Sequence, residues 1–86
     1  MALLSDYDRF DKEAYQAVCV DILKEVMRTA KHNAVRGYWE IPCTDREKIS
    51  YAIEGAQVLR HEAKTERSRN NYYAIEAALK SKLART

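Results

Sequence analysis

Only two glycines and one proline interrupt helix formation along 86 residues. Gly37 and Pro42 both fall in the short segment Arg36-Gly37-Tyr38-Trp39-Glu40-Ile41-Pro42, which also carries the only tryptophan. The rest of the chain is free to be helical, because the residues that cost a helix most are missing from it. The expected fold is therefore all-α. It is a small three-helix domain over residues 1–86, with an ordered extended connection at about 34–43 between the first and second helices. Four residues, Tyr38 to Ile41, are too few for a sheet that stands alone. They read as extended chain, with Trp39 and Ile41 covering the open end of the core.

A chain of this length forms one domain and buries only about 60–65% of its unfolded surface. With 47% hydrophobic residues and six tyrosines it is too apolar to stay disordered. No apolar run approaches the roughly 20 residues of a membrane span, and the first residues lack the basic start and apolar stretch of a secretory signal. The expected location is cytoplasmic. Cys19 and Cys43 are expected to be free thiols there, Cys19 as a small buried hydrophobe on a helix face.

The first helix is expected from about Ser5 or Asp11 to about Asn33, with Ser5, Asp6, Asp8 and Asp11 as candidate caps. Tyr15, Val18, Cys19, Ile22, Leu23, Val26 and Ala30 form its apolar stripe. Thr44-Asp45-Arg46-Glu47 has the form of a capping box, with Thr44 as N-cap and Glu47 as its reciprocal partner. The helix that follows carries one stripe of Ile49, Ala52, Ile53, Ala56, Leu59 and Ala63. A narrower stripe of Tyr51, Gly55 and Val58 lies nearly opposite. The polar stretch 64–71 either breaks the chain into a third helix or bridges one long helix over 45–84. The stripe Tyr72, Ile75, Leu79 and Leu83 is out of phase with the preceding one, which favours a break near 65–70.

Little here points to chemistry. Neither His32 nor His61 follows a carboxylate by three residues, and the cysteines do not form a Cys-x-x-Cys pair. There is no glycine-rich phosphate loop and no nucleophile elbow. The expectation is a chain with no catalytic residues, metal ligands or cofactor, and no small-molecule substrate.

Charge is unevenly spread. Residues 1–27 hold three basic and six acidic side chains, a net of −3, whereas residues 60–86 hold seven and three, a net of +4. Such polarity either draws helices together within the fold or meets a charged partner. The expected function is that of a small non-enzymatic binding or regulatory protein, adaptor-like or inhibitor-like, acting through a protein–protein interface and compatible with self-association. Tyr51, Gly55, Val58, Tyr38 and Trp39 are the interface candidates, since aromatic residues bury much area at little entropic cost. Gly55 is expected to let a neighbour approach closely: either a second copy or partner covering a partly exposed second stripe, or another helix of the same chain. The alternative is nucleic-acid binding by the basic last third, through Arg60, Lys64, Arg67, Arg69, Lys80 and Lys82, with Tyr73 stacking on unpaired bases.

Overall fold

The computed structural model describes residues 12–86. Their order is helix α1 (Lys12–Arg28), strands β1 (Lys31–Asn33) and β2 (Tyr38–Glu40), and helices α2 (Arg46–Glu62) and α3 (Glu66–Arg85). The three-helix architecture is as expected. The candidate caps at Ser5, Asp6, Asp8 and Asp11 lie outside the described residues.

Helix α2 is the central element, packed against α1 on one side and α3 on another. The core is built where the three meet. Leu23 and Val26 come from α1, Ile49, Ala52 and Ala56 from α2, Ile75 and Leu79 from α3, and Ile41 closes the end. Ile49 and Leu79 are wholly buried. These are the stripe positions of each helix, so the 3.6-residue period set the inside faces correctly. The α1 stripe is narrower than expected at one edge, where Val18 is exposed.

The connection between α1 and α2 is ordered and Tyr38–Glu40 is extended, as expected, but this segment is also paired as a strand. Helix α1 stops at Arg28, and Lys31–Asn33 pairs antiparallel with Tyr38–Glu40, bringing His32 opposite Trp39. Two local devices fold this hairpin. Asn33 Oδ1 accepts from the Arg36 amide at 3.0 Å, an Asx-type turn. Gly37 then takes a φ of +73°, the left-handed region that a side chain disfavours, and its amide reaches the Asn33 carbonyl at 2.7 Å. The pair is stable because it is not alone: β2 rests on α3, Ile41 is buried, and Trp39 packs against the core. His32, expected on a helix, is an exposed strand residue whose ring lies 5.1 Å from that of Trp39.

The start of α2 corrects the expected cap by one residue. Asp45, not Thr44, is the N-cap, and its Oδ1 accepts from the amides of Glu47 at 3.0 Å and Lys48 at 3.2 Å. An aspartate there also suits the positive end of the helix. Asp45→Ala should therefore lower stability by about 1 kcal/mol, while Thr44→Ala changes it little. Denaturant midpoints of the two variants test this, and an equal loss from both would return the cap to Thr44.

The chain does break between α2 and α3, slightly earlier than the pattern indicated. Ala63 ends α2, and Thr65 caps α3 by accepting from the Ser68 amide at 3.1 Å. The far end of α3 is tied down by Arg46, whose guanidinium donates to the carbonyls of Leu83 and Thr86.

Candidate functional site

The second stripe of α2 is the first place to look, and its centre faces inward. Tyr51 meets Tyr15 of α1 edge to face, with ring centroids 6.5 Å apart. Gly55 is buried against α1: a Cβ there would stand 2.8 Å from the carbonyl carbon of Cys19 and 3.1 Å from Cβ of Leu23. The neighbour that Gly55 admits is therefore a helix of its own chain. The rest of the stripe stays half-buried: Tyr51 lines an open groove with Tyr15, Arg46 and Leu83, and Val58 lines another between α1 and α2.

The same contact settles the state of Cys19. It is fully buried, and burial pushes its thiol up, so it stays protonated near neutrality. Burial likewise drives the phenol of Tyr15, beside Cys19, up to about 12. A protonated thiol is a small hydrophobe rather than a nucleophile.

Tyr38 and Trp39, by contrast, are brought together with α3. The hairpin stands beside the helix and leaves an open cleft of ≈ 420 Å³, walled by Tyr38 and Trp39 and floored by Ala74, Ala77, Ala78 and Ser81, with Arg85 at one end. Tyr38 is exposed and Trp39 half-buried. The Trp39 indole Nε1 is enclosed yet has no hydrogen-bond acceptor, the one buried side-chain nitrogen or oxygen in that condition among the described residues. An enclosed donor without a partner costs roughly 1–3 kcal/mol, and such groups are uncommon in folded proteins.

The floor of this cleft belongs to an unusual helix face. The outward side of a surface helix is normally charged. On α3 it runs Asn70, Ala74, Ala77, Ser81 and Ala84, all exposed and uncharged, with the exposed Glu66 in line with them in the first turn. At roughly 100° per residue, Arg67 and Arg85 share one flank of this face, and Arg69 and Lys80 share the other.

The basic residues of the last third are thus divided, and several are engaged. Arg60 Nη1 lies 2.9 Å from Glu76 Oε2, and its guanidinium covers the ring of Tyr73 at 4.3 Å. Lys80 Nζ lies 3.1 Å from Glu76 Oε1, and Gln57 donates to the same oxygen at 2.8 Å. Arg69 donates to the Ala63 carbonyl at 3.3 Å. Lys64 and Arg67 are exposed, and Lys82 is half-buried. The buried carboxylate of Glu76, the hub of this cluster, was not foreseen.

Among the described residues no three His, Cys, Asp or Glu side chains gather as a metal site would require, and no helix is long and apolar enough to cross a membrane. The chain matches no protein-family model, and comparison with curated proteins and with solved structures gives no match.

Proposed function

We propose that this chain is a small, non-enzymatic, cytoplasmic binding protein, adaptor-like or inhibitor-like, that acts by seating part of another protein in the cleft between the hairpin and α3. The observation that carries this reading is the open cleft itself, with the exposed Tyr38 and the half-buried Trp39 in its wall over an uncharged floor of Ala74, Ala77, Ala78 and Ser81. The alanine floor admits a bound segment close to the α3 backbone. Tyr38 and Trp39 offer the rigid aromatic area typical of binding hot spots, and Arg85 adds a cation at the rim.

Nucleic-acid binding is the weaker alternative. Arg60 and Lys80 both serve Glu76, Arg69 donates to the Ala63 carbonyl from the side of α3 away from Arg67 and Lys82, and Lys64 precedes the helix, so the cations are divided instead of forming one phosphate track.

Affinity capture on the immobilised chain, with nuclease present, tests the proposal. Ala77→Arg fills the cleft floor at an exposed helical site and should leave the circular dichroism spectrum and melting temperature unchanged. Protein partners held by the wild type should be lost by this variant, and Tyr38→Ala should weaken them on the order of tenfold, the effect of removing one exposed aromatic anchor. An identical set on wild type and Ala77→Arg would overturn the cleft. Capture that disappears with nuclease, together with steeply salt-dependent binding to mixed DNA or RNA, would put the alternative in its place.

A further inference from the structure

A second surface lies away from the hairpin. Between α1 and α2 runs an open groove whose apolar floor is Ala17, Val20, Val58 and Leu59. Its rim carries the carboxylates of Glu13, Asp21 and Glu62 against one ammonium, Lys24. No described residue fills it. The groove is thus concave, apolar at its base and acidic at its edges. The outward face of α3 is the reverse: beyond Glu66 in its first turn it is uncharged along its middle, and it is flanked by Arg67 and Arg85 on one side and Arg69 on the other.

We propose that the α1–α2 groove receives the exposed face of α3 from a second copy of this chain, so that copies join head to tail. The occupant follows from charge. Two α3 faces brought together would set arginine flanks against arginine flanks, and two grooves would oppose carboxylates. Only the unlike pair is complementary, and like-charge juxtaposition is what electrostatic specificity selects against. A helix in an apolar groove is a recurrent recognition mode. Alanine and serine at the contact let the axes approach to the near end of the usual 8–10 Å. In this head-to-tail arrangement the groove of one copy holds α3 of the next, the contact is heterologous, and assembly continues to a ring or an open chain. The proposal rests on reading this chain as a protein-binding module. It also makes self-assembly and occupancy of the hairpin cleft compete, since both use α3.

Sedimentation velocity with two charge-reversed forms tests it. Asp21→Lys/Glu62→Lys reverses the groove rim, and Arg67→Glu/Arg85→Glu reverses one α3 flank. All four positions are exposed, and lysine at the end of α2 and glutamate in the first turn of α3 suit the helix dipole. Wild-type chain at low salt should sediment faster with rising concentration and pass beyond a dimer. Raising salt to about 1 M, where the Debye length is about 3 Å, should reverse this. Each reversed form alone should be monomeric, and an equimolar mixture should associate again, because each surface then meets an opposite one. A wild type that stays monomeric at low salt, or a mixture that fails to recover association, overturns the proposal. Failure here leaves the cleft reading separable: Asp21→Lys/Glu62→Lys does not touch the cleft, so that variant should still capture a partner, at least as well as wild type, and loss of self-assembly alone does not remove capture.

Discussion

Gly55→Leu should abolish folding, and Gly55→Ala should destabilise even though alanine is the better helix former. In an exposed helix interior, replacing glycine by alanine gains about 1 kcal/mol. Here the new methyl would sit 2.8 Å from the Cys19 carbonyl carbon, which is backbone, and 3.1 Å from Cβ of Leu23. Neither atom is the far end of a flexible side chain. The helices must therefore move apart, and that movement loosens Leu23 and Ala52 in the shared core. Overpacking of this kind costs roughly 1–3 kcal/mol, so the net for alanine is a loss of about 1 kcal/mol, and for leucine several times that. Against a total stability near the low end of the usual 5–15 kcal/mol, the larger change leaves little folded protein. Thermal melts of both variants decide the matter. An alanine variant that melts higher than wild type would mean that α1 and α2 are farther apart than described.

That outcome turns on a distinction that periodicity does not make. The stripe Tyr51-Gly55-Val58 announces that a second side of α2 is contacted, but an apolar stripe looks the same whether a neighbouring helix or a separate molecule covers it. The wasted helix propensity at Gly55 was a sound sign of close approach, and only the partner was left open. The hairpin was illegible for another reason. Three-residue strands are too short to show alternation. Their trace lies in Asn33 and Gly37, one able to start an Asx turn and the other able to take a positive φ. The break before α3 was visible because the apolar phase slips between Leu59 and Tyr72. The cleft was half visible: Tyr38 and Trp39 stood out as aromatic residues on a connection, whereas the alanines opposite them carry no signal until α3 is placed. Glu76 was passed over because a carboxylate within a helix reads as solvent-facing. Yet Ile75, Glu76 and Leu79 fall on one side of α3, with Gln57 and Arg60 three apart on α2, a pattern that marks a polar pair across a helix contact.

Glu76→Gln should cost about 2 kcal/mol at neutral pH and much less in acid. The carboxylate is 5% exposed and is held by Gln57 at 2.8 Å, Arg60 at 2.9 Å and Lys80 at 3.1 Å. Breaking a fully buried ion pair costs roughly 3–5 kcal/mol because a charge is left stranded. Here the stranded cations regain water, since the side chains of Lys80 and Arg60 are 59% and 27% exposed, and the loss falls to the range of a charged hydrogen bond. Burial is the largest single influence on the Glu76 carboxyl and by itself would raise its pKa. The hydrogen bonds from Gln57 and Lys80 and the charges of Arg60 and Lys80 together outweigh it and hold the pKa below the ordinary 4.5. The stabilisation is therefore complete above that value and is lost as pH falls through the lower folded-state pKa. The stability curves of wild type and Glu76→Gln should run apart near neutrality and converge on the acid side. Double-mutant cycles then divide the cluster. Coupling of Glu76 to Arg60, which is stacked on Tyr73 and largely desolvated, should exceed about 1 kcal/mol. Coupling to the exposed Lys80, an i,i+4 pair, should stay near 0.3–0.5 kcal/mol. Equal couplings, or curves that remain parallel in acid, would place Glu76 in solvent, and the contact between α2 and α3 would then rest on its apolar residues alone.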